Sequence, residues 1–85
     1  MTHAAYWDKA AQKYAAKKIA NPAAYAATLA ATRSFLKPGD TVLEMGCGTG
    51  GTAITLSERV AHVTGTDISR EMIRIAQGKL AGSRV

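Results

Sequence analysis

Three glycines at alternate positions, Gly46, Gly48 and Gly50, follow an apolar run that carries a single carboxylate, Glu44, and a second acid, Asp67, lies 17 residues past Gly50. The run Val42 to Met45 reads as a buried strand, and Thr52 to Leu56 as the first turns of a helix. The glycines therefore make a strand-to-helix turn. Lacking Cβ atoms, they admit positive φ and let a ligand approach the main chain, while the unpaired N–H groups of the helix start point into the same space. Turns of this kind bind nucleotides, and Gly46, Gly48 and Gly51 also satisfy the G-x-G-x-x-G dinucleotide pattern. Glu44 tips the choice, because a carboxylate at the carboxyl edge of a sheet repels a pyrophosphate and attracts a cation. A positively charged nucleoside suits the turn better than NAD does.

The stretch Val42-Leu43-Glu44-Met45-Gly46-Cys47-Gly48-Thr49-Gly50 resembles the first motif of the class I S-adenosylmethionine-dependent methyltransferases. Val63-Thr64-Gly65-Thr66-Asp67-Ile68-Ser69 resembles that family's second signature, in which an acid ending strand two accepts hydrogen bonds from both ribose hydroxyls. The offset of Asp67 agrees with the rule that the ribose acid follows the glycines by about 20 residues. The resemblance covers residues 41 to about 80 and implies S-adenosyl-L-methionine as cofactor and methyl transfer to a small-molecule acceptor rather than a macromolecule. It assigns Glu44 to the cofactor's cationic end, directly or through water, Gly46, Gly48 and Gly50 to main-chain approach, Asp67 to the ribose and Ile68 to the adenine face. Cys47 joins this set as the small residue that fits between two glycines. Thr49 and Thr52 either bond the ligand or cap the helix start. Trp7-Asp8-Lys9-Ala10-Ala11-Gln12-Lys13-Tyr14 is similar to a segment that closes over the cofactor in such enzymes, which makes Tyr14 a lid contact; the alternative packs this stripe against the second helix. No residue reads as a general base, and His3, His62 and Cys47 are too isolated to ligate a metal.

The elements that must position these residues follow from periodicity. Thr2 to about Ile19 is alanine-rich, with Trp7, Ala10, Ala11 and Tyr14 on one helical face and Thr2 as cap. Asn21-Pro22 restarts the chain as cap and first helical residue, and Tyr25, Leu29, Thr32 and Leu36 share the face of a second helix. Lys37-Pro38-Gly39-Asp40 predicts a type II turn with Gly39 at positive φ. After the glycine bend, a helix from about Gly51 to Val60 leads to a parallel strand from His62 to Thr66. Ser69 caps a last helix with the stripe Met72, Ile73, Ala76 and Leu80, and Gly82 is its expected stop. The fold class is α/β: the amino-terminal part of a Rossmann-like doubly wound parallel sheet preceded by two helices. Residues 1–38 form a helical cap and 39–85 the start of the cofactor-binding domain, with a third strand opening at Arg84-Val85.

Eighty-five residues suffice for one small domain, and at this size only about 60% of the unfolded chain's surface is buried on folding. The family builds a seven-stranded sheet from a longer chain, so the resemblance implies an amino-terminal portion whose exposed sheet edge favours self-association. A hydrophobic content of 47% with 20% charged residues excludes disorder. The absence of an apolar run of about 18 residues argues against a membrane span, the first residues lack signal-peptide order, and the lone Cys47 makes a reducing cytoplasm the default. The net charge of +5 lies wholly in residues 1–37, where six cations face one anion, Asp8. Such a block suits an acidic substrate or nucleic acid, but Lys9, Lys13 and Lys17 recur at the spacing of a solvated helix face, so nucleic acid is not the expected partner. Two rivals stay open: an NAD-binding oxidoreductase fragment, and a non-catalytic module binding RNA or protein through its basic helices.

Overall fold

A computed structural model describes residues 2–85. The chain forms α1 (His3–Ala16), α2 (Pro22–Ser34), β1 (Thr41–Met45), α3 (Gly51–Ser57), β2 (His62–Thr66) and α4 (Arg70–Gln77). β1 and β2 pair in parallel, Val42 opposite Val63 and Glu44 opposite Gly65, so both strands deliver their carboxyl ends to one edge. This is the α/β arrangement expected at the start of a Rossmann-like sheet. Val60, Val63 and Ala53 are its buried centre, with Leu36, Val42 and Val85 packed against them. The Arg84 carbonyl accepts the Val63 N–H at 2.8 Å, which places the chain end beside β2 without a full strand.

Local chemistry fixes the helix starts. Thr2, Asn21 and Ser69 each accept a backbone N–H three residues on, from Ala5, Ala24 and Met72, which satisfies donors that a helix cannot pair internally. The ends differ from the expectation. α1 stops at Ala16 rather than near Ile19 because it lies against α4 while α2 lies against α3. Residues 17–20 must cross from one partner to the other, and Lys17 is already extended. This contradicts the packing of the α1 stripe on the second helix. Leu36 falls beyond α2, though it still reaches the core.

Two turns also differ. Gly39 is not among the glycines at positive φ, so Lys37–Asp40 is not a type II turn; it is closed by Asp40 N–H to the Lys37 carbonyl at 3.0 Å and by Lys37 N–H to the Asp40 carboxylate at 2.8 Å. α4 ends at Gln77, capped by Gly78 in right-handed conformation, and Gly82 with φ +81° shapes the subsequent turn instead. β1 is not the fully buried strand its composition suggested. Val42 and Glu44 turn inward, whereas Leu43 is 63% and Met45 82% exposed, because no helix among the described residues covers their face.

Gly50 caps α3 at φ +87°, and a Cβ there would stand 3.1 Å from Ala76 Cβ of α4. Gly50→Ala is therefore strained in conformation and in space, and it should lower unfolding free energy by about 1–3 kcal/mol. Gly39→Ala, which meets nothing within 4 Å, should be neutral or slightly stabilising. Denaturant unfolding of both variants checks this; equal stabilities would show that the bend does not need a glycine at position 50.

Candidate functional site

The glycine bend is pinned to the exit of β2. Cys47 N–H donates to the Thr66 carbonyl at 2.8 Å, prolonging the parallel ladder by one bond beyond β1. Gly48 N–H donates to Asp67 Oδ2 at 2.9 Å, and Gly50 N–H to the Cys47 carbonyl at 3.0 Å. Gly48 holds φ +55°, which turns its N–H toward β2. Gly65 makes room for this fold: a Cβ there would stand 3.0 Å from both Cβ and Sγ of Cys47. Three of the bend's N–H groups are thus spent on protein, so the turn is less open to a ligand than its glycines alone imply.

Beside the bend lies a cleft of ≈ 540 Å³. Gly46, Gly48, Asp67, Ile68 and Tyr14 line it together with Trp7, Met45, Thr66 and Met72. Its size matches that of ordinary ligand sites. A Cβ on Gly46 would meet nothing within 4 Å, so that backbone stands open. Asp67 Oδ1 also accepts Ser69 N–H at 2.9 Å; with one donor on each oxygen, the carboxylate keeps lone pairs for further donors. Ile68 is 63% exposed at the rim.

Tyr14 lies over the bend. Its Cε1 is 3.6 Å from where a Gly48 Cβ would be, and its ring meets that of Trp7 edge-on at 6.2 Å. Tyr14 also borders a second cleft of ≈ 440 Å³, lined by Lys17, Lys18, Tyr25, Cys47, Thr49 and Thr52 among others. There Tyr25 and Thr52 share a hydrogen bond that ties α2 to the start of α3. Gly50 faces neither cleft; it packs on Ala76.

Glu44 lines neither of these clefts. Its side chain turns inward, on the strand face shared with Val42, and Oε1 is buried without a hydrogen-bond partner. Burial pushes its carboxyl above the usual 4.5. The Cys47 thiol is likewise raised, first by burial and then by the negative charges of Asp67 and Glu44. In a chain of net charge +5, the bend is flanked by carboxylates. Among the described residues, no group of three or more His, Cys, Asp or Glu could hold a metal ion, and no helix is long and apolar enough to cross a membrane.

Sequence reasoning missed Asp8. Its Oδ1 accepts the buried Ser69 hydroxyl at 2.6 Å and Glu71 N–H at 3.1 Å, clamping α1 onto the start of α4. The Ser69 hydroxyl, then Glu71 N–H, holds the Asp8 carboxyl below the usual 3.8. The available signal was that Asp8 is the sole anion among the first 37 residues. Gly65 was missed as well, because its role depends on a residue eighteen positions earlier.

Comparison with known proteins agrees with this geometry. The sequence model of the family described as "Methyltransferase domain" matches residues 42–85, more than half of the chain, and the chain belongs to that family. The solved structure of a DhpI–SAH complex superposes with a TM-score of 0.75 and 30% identity, covering 92% of this chain and 41% of that one. The protein named "Putative methyltransferase YqeM" of Bacillus subtilis (strain 168) is 44% identical over 43 residues, 51% of this chain and 17% of its own length. Phosphoethanolamine N-methyltransferase 1 of Arabidopsis thaliana is 44% identical over 48 residues, 55% of this chain and 10% of its own length. The chain thus spans less than a fifth of these two curated relatives. The α/β architecture is that of the class I S-adenosylmethionine-dependent methyltransferases.

Because the folded pKa of Glu44 is raised, the stability linked to it is present below the usual carboxylate range and lost as pH rises through the folded value. Glu44→Gln should therefore raise the thermal midpoint of the ligand-free protein at pH 7 relative to wild type, and the difference should shrink at pH 4. Thermal unfolding at the two pH values tests this; a variant less stable than wild type at pH 7 would mean that the buried charge has a protein partner.

Proposed function

We infer that this chain is the cofactor-binding part of an S-adenosyl-L-methionine-dependent methyltransferase acting on a small molecule. The observation that carries the reading is the pairing of two carboxylates at one sheet edge, Asp67 in the cleft and Glu44 behind the bend with a buried oxygen left unpartnered. A buried carboxylate oxygen is costly without a partner, so Glu44 keeps capacity for a donor that the protein does not provide. The residues present fit that cofactor. Asp67 retains lone pairs for ribose hydroxyls, Ile68 offers an apolar wall to adenine, and Gly46 leaves the backbone bare where the ligand crosses the bend. Glu44 supplies negative potential toward the aminoacyl end, while Tyr14 and Trp7 wall the cleft on the side of α1. Cys47 keeps its raised thiol protonated and adds bulk, not nucleophilicity.

When bound, S-adenosylmethionine supplies a methyl group on a positively charged sulfur that is displaced in line by an acceptor. The chain's contribution is orientation, which accounts for much of the rate when the donor is already activated. A small-molecule acceptor is supported by the phosphoethanolamine N-methyltransferase relative. The DhpI–SAH complex supports the cofactor. Residues 1–38 act in this reading as a helical cap on the cofactor-binding residues 39–85, and a cytoplasmic location suits the lone cysteine.

Isothermal titration should show S-adenosylhomocysteine binding and no comparable response to NADH; tight NADH binding alone would replace the reading with an oxidoreductase one. Asp67→Ala should weaken S-adenosylhomocysteine binding by about 1–3 kcal/mol, the cost of unpaired hydrogen-bonding groups. An unchanged dissociation constant would remove Asp67 from the ribose site.

The bare sheet face carries its own expectation. Leu43 and Met45 stand exposed on β1, whose outer edge no strand pairs among the described residues. Light scattering should report self-association of the 85-residue chain. A stable monomer would show that this face is tolerated in water.

A further inference from the structure

Asp8 has a place in the fold that its exposed helix does not explain. α1 carries Trp7 and Tyr14 over the cleft and lies against α4, with Ala11 buried between them and the rest of the molecule. Its hydrogen-bonded tie at the cleft's end is one carboxylate oxygen that accepts both the Ser69 hydroxyl and Glu71 N–H. Ser69 is wholly buried and every polar group on it is engaged: its hydroxyl oxygen also accepts Met72 N–H at 3.1 Å, and its own N–H goes to Asp67 Oδ1. The other oxygen of Asp67 holds Gly48 N–H. A continuous hydrogen-bonded chain therefore runs from α1 through Ser69 and Asp67 to the glycine bend. Its two carboxylates meet at one serine.

We propose that Asp8 is a positioning residue that latches α1 over the cleft and couples closure of that helix to engagement of a nucleoside by Asp67. The proposal rests on the cofactor reading above and adds to it the residue that sets the position of α1. Movement of Asp67 toward ribose hydroxyls shifts Ser69, and Ser69 sets the register of Asp8 on the first turn of α4. Conversely, a released α1 removes Tyr14 from above Gly48 and leaves the Ser69 hydroxyl hydrogen without its acceptor, while the hydroxyl oxygen keeps Met72 N–H. The two events share one set of bonds, so each favours the other, and by linkage the coupling is reciprocal.

The test uses the whole chain with S-adenosylhomocysteine as probe. Trp7 is the sole tryptophan and sits next to Asp8 in sequence, so its emission reports the position of α1. In wild type, adding the probe should shift Trp7 emission and slow hydrogen exchange across α1. Asp8→Ala should speed α1 exchange in the ligand-free protein, abolish the emission shift and weaken binding on the order of tenfold. Asp8→Asn, whose amide oxygen can accept the same two bonds, should restore most of the binding and the shift. The latch is overturned if Asp8→Ala leaves α1 exchange unchanged, or if Asn fails as fully as Ala. Equal probe affinity in wild type and Asp8→Ala overturns the coupling alone. Failure of the wild type to bind the probe overturns the cofactor reading, and with it the coupling, whatever α1 does.

Discussion

The Asp67 carboxylate accepting Gly48 N–H is the contact on which the rest of the site depends. β1 ends in glycines that have no side chains with which to hold a shape, so the bend needs an external anchor. Asp67 provides it from the end of the neighbouring strand, at a height set by the pairing of Met45 with Thr66. Cys47 N–H to the Thr66 carbonyl adds a second tie in the same direction. Because a carboxylate can accept several donors at once, an acid here holds the bend and still faces the cleft. An amide or hydroxyl would have fewer lone pairs left to offer.

Placing negative charge behind a glycine bend has a thermodynamic cost. Burial disfavours the ionised Glu44, and Glu44 and Asp67 together disfavour a Cys47 thiolate. Asp8 differs because its charge is met by two donors. The three acids thus divide by partner: Asp8 and Asp67 each meet two donors of the protein, and Glu44 has one buried oxygen that meets none. Such a departure from local stability is expected where a protein binds or reacts.

The sheet is dressed on one side only. Val42 and Val63 face Ala53 and Val60, while Leu43 and Met45 face outward with no helix among the described residues above them. Two short strands and a handful of buried side chains make a small core for a parallel sheet, which ordinarily has both faces covered. The superposition on 41% of the DhpI chain fits this picture, since it matches an architecture larger than the two strands present here.

Much of the fold was legible in the chain itself. Caps at Thr2, Asn21 and Ser69 declare themselves by residue type and by the helix-forming residues after them, β2 by its β-branched run, and the bend by its alternating glycines, because each is a local preference written in a few consecutive residues. The motif residues Gly46, Gly48, Asp67, Ile68 and Tyr14 do gather at one cleft. Tertiary structure alone decided that α1 leaves α2 for α4, that the Gly48 N–H is taken by Asp67, that Gly65 yields space to Cys47, and that Asp8 meets Ser69 across 61 positions. These depend on pairs far apart in the chain, and no period or spacing records them. The helix ends and the Gly39 turn belong with them, since where a segment stops is set by the element it packs against.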